Sequence, residues 1–266
     1  MPAIFYIKLC TNELDTARKS HPPMKMQNLT GKIAVITGAS SGIGEATARL
    51  LVEEGVHVVL AARRIERLAE LAVELGDSAT VIQTDVADPA QVTALFATVK
   101  ERFGGVDLLF NNAGLGISDL FETSKPEDWK QMIDANLYGV LYCTQAAIPL
   151  LRGRDGAMIC SVSSVGGKYG AATWGVYSAT KYAVVGFHDA LRKELGMERI
   201  RVSVIEPGAV WSEFGANVSD AIEARRIDLD AMASADVAQA LVYAFAQPGN
   251  VLIQEILMRP VKQIAP

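Results

Sequence analysis

The sequence predicts an α/β protein, a doubly wound parallel sheet of seven strands with helices on both faces. Three observations carry that expectation. Apolar runs and helix-spaced segments alternate seven times from Lys32 onward. The runs are too continuously apolar for strands with one wet face, and suit a sheet covered on both sides. The first strand also enters the first helix through a turn crowded with glycine and serine, Thr37–Gly44.

The elements follow in order. Ile33–Ile36 reads as the first buried strand, and Glu45–Glu54 as a helix stopped by Gly55. His57–Ala62 is the second strand and Ile65–Leu75 the second helix, ended by Gly76. Thr80–Gln83 is the third strand. The helix Pro89–Phe103 has Asp88 placed to cap it and Pro89 in its first turn, where a missing N–H costs nothing. Val106–Phe110 is the fourth strand, followed by one long helix from Pro126 to Leu151. Ala157–Val162 is the fifth strand, Trp174–Leu195 a helix and Val202–Glu206 the sixth strand. Alanine-rich Ala235–Ala246 is a helix, and Val251–Leu257 the last strand. There is no internal repeat or low-complexity tract. Residues 29–266 therefore read as one domain, and residues 1–28, set off by Pro22-Pro23, as an appendage.

Composition narrows the classes of function. The 266 residues suffice for a large core. A net charge of −5, with no run of Lys and Arg, argues against a nucleic-acid partner. No apolar stretch reaches the length of a membrane span. Met1–Cys10 lacks a basic leader and a long apolar core, so a signal peptide is not expected, and Met24 or Met26 is a candidate translation start. Cys10, Cys143 and Cys160 are too few and too scattered for a disulfide framework or a zinc site, which points to a reducing, cytoplasmic setting. His21, His57 and His188 read as structural or exposed, and no metal-ligand cluster stands out.

Two motifs carry chemistry. In Thr37-Gly-Ala-Ser-Ser-Gly-Ile-Gly44, glycines 38, 42 and 44 permit a tight turn and close backbone approach. The helix behind them offers free N–H groups and the positive end of its dipole to a pyrophosphate. Three residues separate the first two glycines, a wider spacing than the usual dinucleotide fingerprint of a Rossmann-like fold. In Tyr177-Ser-Ala-Thr-Lys181 a phenol and an ammonium stand four residues apart, on one face if the segment is helical. A neighbouring cation lowers a phenol's pKa from its usual value of about 10. Bringing it to about 7 takes roughly 4 kcal/mol, after which the phenol can exchange a proton with an alcohol oxygen at neutral pH. By itself this spacing is common on solvated helix faces.

The wide glycine loop together with Tyr177-x-x-x-Lys181 resembles the short-chain dehydrogenase/reductase family, over about residues 29–260. Further pieces match in order: Asp85 after the third strand, Asn111-Asn112-Ala113-Gly114 after the fourth, and Asn136 in the long helix. Ser163-Ser164 ends the fifth strand, with Ser164 thirteen residues before Tyr177, and Pro207-Gly208 follows the sixth. Ser212 stands where the family carries Thr. The resemblance implies that Tyr177 is the general acid in reduction and the base in oxidation. It implies that Lys181 lowers the phenol's pKa and bonds the nicotinamide ribose, that Ser164 holds the substrate oxygen, and that Asn136 completes a proton relay through water. It also implies dinucleotide contacts from Gly38, Ser40, Ser41, Gly42, Ile43 and Gly44, from Asp85 and Val86, from Asn112, Ala113 and Gly114, from Tyr177 and Lys181, and from Pro207, Gly208, Val210 and Ser212. Plainer roles stay open: Ser164 as a cap at a strand end, Asn136 as a buried amide serving the bent helix around it, and Asn111 as a brace between strands.

The second strand ends Leu60-Ala-Ala-Arg-Arg64. Ala62 stands where NAD-selective members of the family carry an acid, and Arg63, helped by Arg64, is placed to pair with a 2′-phosphate. NADP(H) is therefore expected in preference to NAD(H). Segments Leu115–Leu120, Gly166–Trp174 and Trp211–Asp230 are expected to rim a partly apolar pocket with Ile117, Tyr169, Trp174, Trp211 and Phe214, and Lys168 is either solvated or a partner for a carboxylate. The ending Val251–Pro260 is similar to a bacterial branch of NADP-dependent 3-hydroxy acid and serine dehydrogenases and clavulanate-type reductases. That implies a small aldehyde, ketone or 3-oxo acid as substrate, and a homotetramer or homodimer paired through helices at 126–151 and 174–195. A 3-oxoacyl carrier-protein reductase would need a basic surface beside the pocket, and none is evident. A dinucleotide-sensing regulator on the same fold would tend to lose the Tyr or the Lys, and both are present.

Overall fold

A computed structural model of the chain describes residues 26–214 and 220–264. Most of the N-terminal appendage, with Cys10, His21, Pro22-Pro23 and Met24, lies outside the described residues, as do positions 215–219 of the expected pocket rim.

The chain runs β1 (Ile33–Thr37), α1 (Gly42–Glu53), β2 (His57–Ala62), α2 (Ile65–Leu75), β3 (Ala79–Gln83), α3 (Pro89–Phe103) and β4 (Leu108–Asn111). It continues through α4 (Pro126–Ile133), a π-helical turn (Asp134–Tyr138), α5 (Gly139–Leu151), β5 (Met158–Val162), α6 (Gly175–Leu195) and β6 (Arg201–Pro207). It then passes through β7 (Val210–Trp211), α7 (Asp220–Leu229), β8 (Met232–Ala233), α8 (Ser234–Phe245) and β9 (Glu255–Met258). Seven strands form one sheet in the order β3-β2-β1-β4-β5-β6-β9, and every pairing is parallel. The doubly wound α/β sheet is thus as the apolar runs predict.

Alternate residues of each strand feed two separate cores. Ala34 and Ile36 of β1 pack with Ala48 and Leu51 of α1, Leu68 and Leu71 of α2, and Leu241 and Phe245 of α8. Val35, between them, faces the other way, onto Leu95 and Val99 of α3, Cys143 and Leu151 of α5, and Leu191 and Leu195 of α6. Local signals explain the boundaries. The Asp88 carboxylate accepts from the N–H groups of Ala90 and Gln91, and Gly104, at φ 72°, closes α3 in the left-handed conformation. Buried Arg201 donates to the carbonyls of Gly156, Ala244, Phe245 and Gln247, anchoring the end of α8 to the base of the sheet.

Four expectations need correction. The long helix is two helices joined by the π-turn, because Asn136 is drawn inward to serve the neighbouring loop. The first helix starts at Gly42 rather than Glu45, the glycines being part of its first turn. The last strand begins at Glu255 rather than Val251, because a turn from Pro248 to Val251 precedes it. The stretch after β6, expected only as pocket rim, also contains β7, α7 and β8. Among the described residues no helix is long and apolar enough to cross a membrane.

Candidate active site

Strand order reverses between β1 and β4, so the helices after these strands leave on opposite sides and open a crevice at the strands' C-terminal ends. Thr37 ties the two sides together. Its Oγ1 accepts from the N–H groups of Asn112, at 3.0 Å, and Ala113, at 3.1 Å. The Asn112 side chain returns the contact, donating to the carbonyls of Thr37 and Gly38. This closeness explains two glycines. A Cβ on Gly44 would lie 2.5 Å from both Asn112 Nδ2 and the Gly38 oxygen, and one on Gly38 would lie 2.8 Å from the Ala113 Cα. Gly38 and Gly42 also sit at φ 65° and 59°. Among the described residues no side chain caps the N-terminus of α1, which leaves its first N–H groups to an anion. Ser40, Ser41, Gly42, Ile43 and Gly44 form the cradle's wall, and Ser212 faces Gly42 across it: a Cβ on Gly42 would lie 3.0 Å from the Ser212 Cβ. These residues fit the pyrophosphate of a dinucleotide.

The second cluster lies where β5, the π-turn and α6 meet. Tyr177 and Lys181 are both in α6, one turn apart on one face. Ser164 lies two residues past the end of β5 and caps the short turn after it, its Oγ accepting from the Gly166 N–H at 3.0 Å. Ser164 and Tyr177 flank the same glycine: a Cβ on Gly166 would lie 3.3 Å from the Ser164 Oγ and 3.4 Å from Cε1 of the Tyr177 ring. Asn136 is wholly buried. Its Oδ1 accepts from the Leu115 N–H at 2.8 Å, and its Nδ2 donates to the Leu115 carbonyl and to Thr180 Oγ1. In this way it holds the segment after β4 against α6. A Cβ on Gly114 would stand 2.9 Å from Asn136 Oδ1 and 3.6 Å from the Lys181 ammonium, so Gly114 keeps the floor of the cluster thin. Asn111 points into the sheet instead, donating to Thr144 and Ser161 as a brace.

The electrostatics differ from the sequence expectation. Burial pushes the Tyr177 phenol up to about 12, and the Ser164 hydroxyl pulls weakly the other way. Lys181 does not bring it down here because its ammonium donates to the Val162 carbonyl at 2.8 Å and stands 5.6 Å from the centre of the phenol ring. Burial in turn lowers Lys181 to about 8, which leaves it mostly charged at neutral pH.

The remaining predicted residues divide. Trp174 meets the Tyr177 ring edge-on at 5.4 Å, and Phe214 lies 5.5 Å from it on another side. Both crowd Gly116. They therefore roof the phenol, whereas Tyr169 and Trp211 are exposed by 48% and 41% and stand outside that roof. Asp85 caps its own turn through the Ala87 N–H, and Val86 is buried against Gly139. Pro207 ends β6, and Gly208 donates to the Met258 carbonyl, beside β7 and Val210. Lys168 is part-exposed and is engaged by carboxylates of the chain itself. It pairs with Glu255 at 2.8 Å and lies 3.7 Å from Glu206. Arg63 is exposed, and its guanidinium has no partner among the described residues. Arg64 is fully engaged, with Ser40, Ser41 and Glu213. Sequence reasoning missed Thr37, Thr180, Glu206 and Glu213, since single Thr and Glu residues leave no spacing signal.

A family model described as short chain dehydrogenase matches residues 32–223. An uncharacterized oxidoreductase of Staphylococcus saprophyticus is 39% identical over 90% of this chain and 99% of its own length. The closed form of a serine dehydrogenase complexed with NADP+ is 34% identical, with a TM-score of 0.82 over 88% of this chain and 96% of that one. The 3-ketoacyl-(acyl-carrier-protein) reductase of Brucella melitensis, complexed with NADH, is 29% identical, with a TM-score of 0.81 over 89% of this chain and all, 100%, of that one.

Proposed function

From the premise that this chain belongs to the short chain dehydrogenase family and is an oxidoreductase using a nicotinamide dinucleotide, we propose that it interconverts a small alcohol and its carbonyl with NADP(H). Tyr177 carries the proton. The observation that bears most weight is the meeting of Tyr177, Ser164 and Lys181 at the open end of the sheet, next to an uncapped glycine-rich helix start. The hydride comes from the dinucleotide, and the chain supplies orientation and proton transfer. With its phenol pushed up to about 12 by burial, Tyr177 holds its proton at neutral pH, the form the reductive direction needs, and gives it up readily only once a neighbouring cation lowers that value. Ser164 orients the substrate oxygen, and Asn136 positions the loop that carries Gly114 and Leu115.

NADP(H) over NAD(H) is supported by Ala62, which puts no carboxylate at the end of β2, and by the unengaged Arg63 beside it. The serine dehydrogenase relative was found with NADP+. A roof of Trp174 and Phe214 suits a small, partly apolar aldehyde, ketone or 3-oxo acid. A homotetramer or homodimer, paired through α4–α5 and α6, agrees with the exposure of Tyr138 and Tyr182 on these elements.

The test is to follow NADPH and NADH oxidation by the purified protein across aldehydes, ketones and 3-oxo acids, with Tyr177→Phe alongside. Loss of about 10²–10⁴-fold in turnover is expected for the variant. Unchanged turnover would sink the role of Tyr177, and a preference for NADH would sink the cofactor assignment.

A further inference from the structure

Arg64 is the most heavily engaged cation at the mouth of the crevice. It begins α2, directly after the end of β2, and its guanidinium faces the glycine loop. Its Nε lies 3.2 Å from Ser40 Oγ. Its Nη2 donates to Ser41 Oγ at 2.7 Å and to Ser40 Oγ at 3.1 Å. Its Nη1 donates to Glu213 Oε2 at 2.6 Å. Arg67, one turn further along α2, reaches the other oxygen of the same carboxylate at 3.7 Å. Together these contacts hold Glu213 below the usual carboxylate range, with Arg64 the main cause, so it is an anion at neutral pH.

Glu213 arrives from the other wall of the crevice. It lies between Ser212, which faces Gly42, and Phe214, which roofs Tyr177. Arg226 holds the carbonyls of Ser212 and Phe214, so these three residues form one strap across the crevice. One end of the strap is fastened to Arg64 and the other rests on the phenol. A carboxylate therefore occupies the anion position of the arginine pair that follows β2.

We propose that Glu213 is a residue that determines cofactor choice: it competes with the 2′-phosphate of NADP(H) for Arg64, and the phosphate gains that arginine only by displacing it. The inference rests on the dinucleotide reading above. A phosphate presents more acceptor oxygens to an arginine fork than a carboxylate does, and carries more charge. The Arg64–Glu213 pair is exposed at 47% and 44% of its side chains, so breaking it is cheap. NAD(H) brings no group to Arg64 and leaves the pair closed. Glu213 thus lowers affinity for the phosphorylated cofactor alone, and its release loosens the strap that carries Phe214.

The test is calorimetric binding of NADPH, NADH, 2′,5′-ADP and 5′-AMP to the full chain and to Glu213→Gln, with Glu213→Asp as a control that keeps the charge. Glu213→Gln is expected to bind NADPH and 2′,5′-ADP about two- to fivefold more tightly, the worth of one exposed ion pair, with NADH and 5′-AMP unchanged. Glu213→Asp is expected to stay on the wild-type side of that difference. An equal change for phosphorylated and unphosphorylated ligands, or none for either, overturns the competition while leaving the dinucleotide reading intact. A wild-type chain that binds neither NADPH nor NADH overturns both. Thermal unfolding of each variant separates a binding change from a folding defect.

Discussion

Glu206 offers a quantitative check on the packing at the C-terminal end of the sheet. It lies near the end of β6 with no exposed surface, and neither carboxylate oxygen has a hydrogen-bond partner among the described residues. The charged groups facing it are Lys168, 3.7 Å away on the loop after β5, and Glu255 on β9. Burial dominates and pushes its carboxyl from 4.5 up to about 7, with Lys168 opposing and Glu255 adding to the rise. The folded chain therefore holds this proton to higher pH than the unfolded chain does. Between about 4.5 and about 7 the folded state binds more protons, so stability falls as pH rises through that window and levels off above it. At about 1.4 kcal/mol per pKa unit the whole effect is about 3 kcal/mol. Glu206→Gln removes the titration. Urea unfolding followed by Trp fluorescence at intervals from pH 4.5 to 8 is expected to show the wild type losing about 3 kcal/mol relative to the variant. The other titrating groups cancel in that difference. Parallel stability curves for the two proteins would refute the buried-carboxyl reasoning, whatever the absolute offset between them. Lys168→Met removes the opposing cation and is expected to move the midpoint of the loss to still higher pH.

Other substitutions probe the crevice itself. Gly44→Ala places a methyl group 2.5 Å from the Gly38 carbonyl and the Asn112 amide, and is expected to cost about 1–3 kcal/mol of stability and to weaken NADPH binding. An unchanged melting temperature together with unchanged affinity would show that the loop is not closed this tightly. Asn136→Ala strands the N–H and carbonyl of Leu115, at about 1–3 kcal/mol for each group left without a partner, and is expected to lower turnover more than it raises KM. Full activity at wild-type stability would exclude the bracing role.

How far the molecule could be read in advance differs from element to element. The five inner strands β1, β2, β4, β5 and β6 were legible because each is an apolar run bounded by turn residues, and burial on both faces leaves that signature in the chain, whereas β9, at the sheet edge, alternates exposed and half-buried residues and starts four positions later than its apolar run. The cap of α3 was legible because Asp88-Pro89 acts locally, through N–H groups two and three residues on. The π-turn was not, because it follows from an inward pull on Asn136 by a loop twenty-one residues earlier. The helix α7 was hidden for a related reason: its polar sequence carries no strong apolar stripe, so nothing local distinguishes it from loop.

The candidate site divides along the same line. The glycine turn stands out by composition, and helical spacing puts the Tyr177 phenol and the Lys181 ammonium on one face, whereas Ser164 was reached only through the family resemblance. Charge state and contact depend on what the fold brings near each group. Only the tertiary structure turned Lys181 toward the Val162 carbonyl, pushed the phenol up rather than down, buried Glu206 and joined Arg64 to Glu213 across 149 positions of sequence. Spacing reports neighbours within a turn of helix. Desolvation and ion pairing are set by whichever distant segments close over the group, and those are known only once the sheet has assembled.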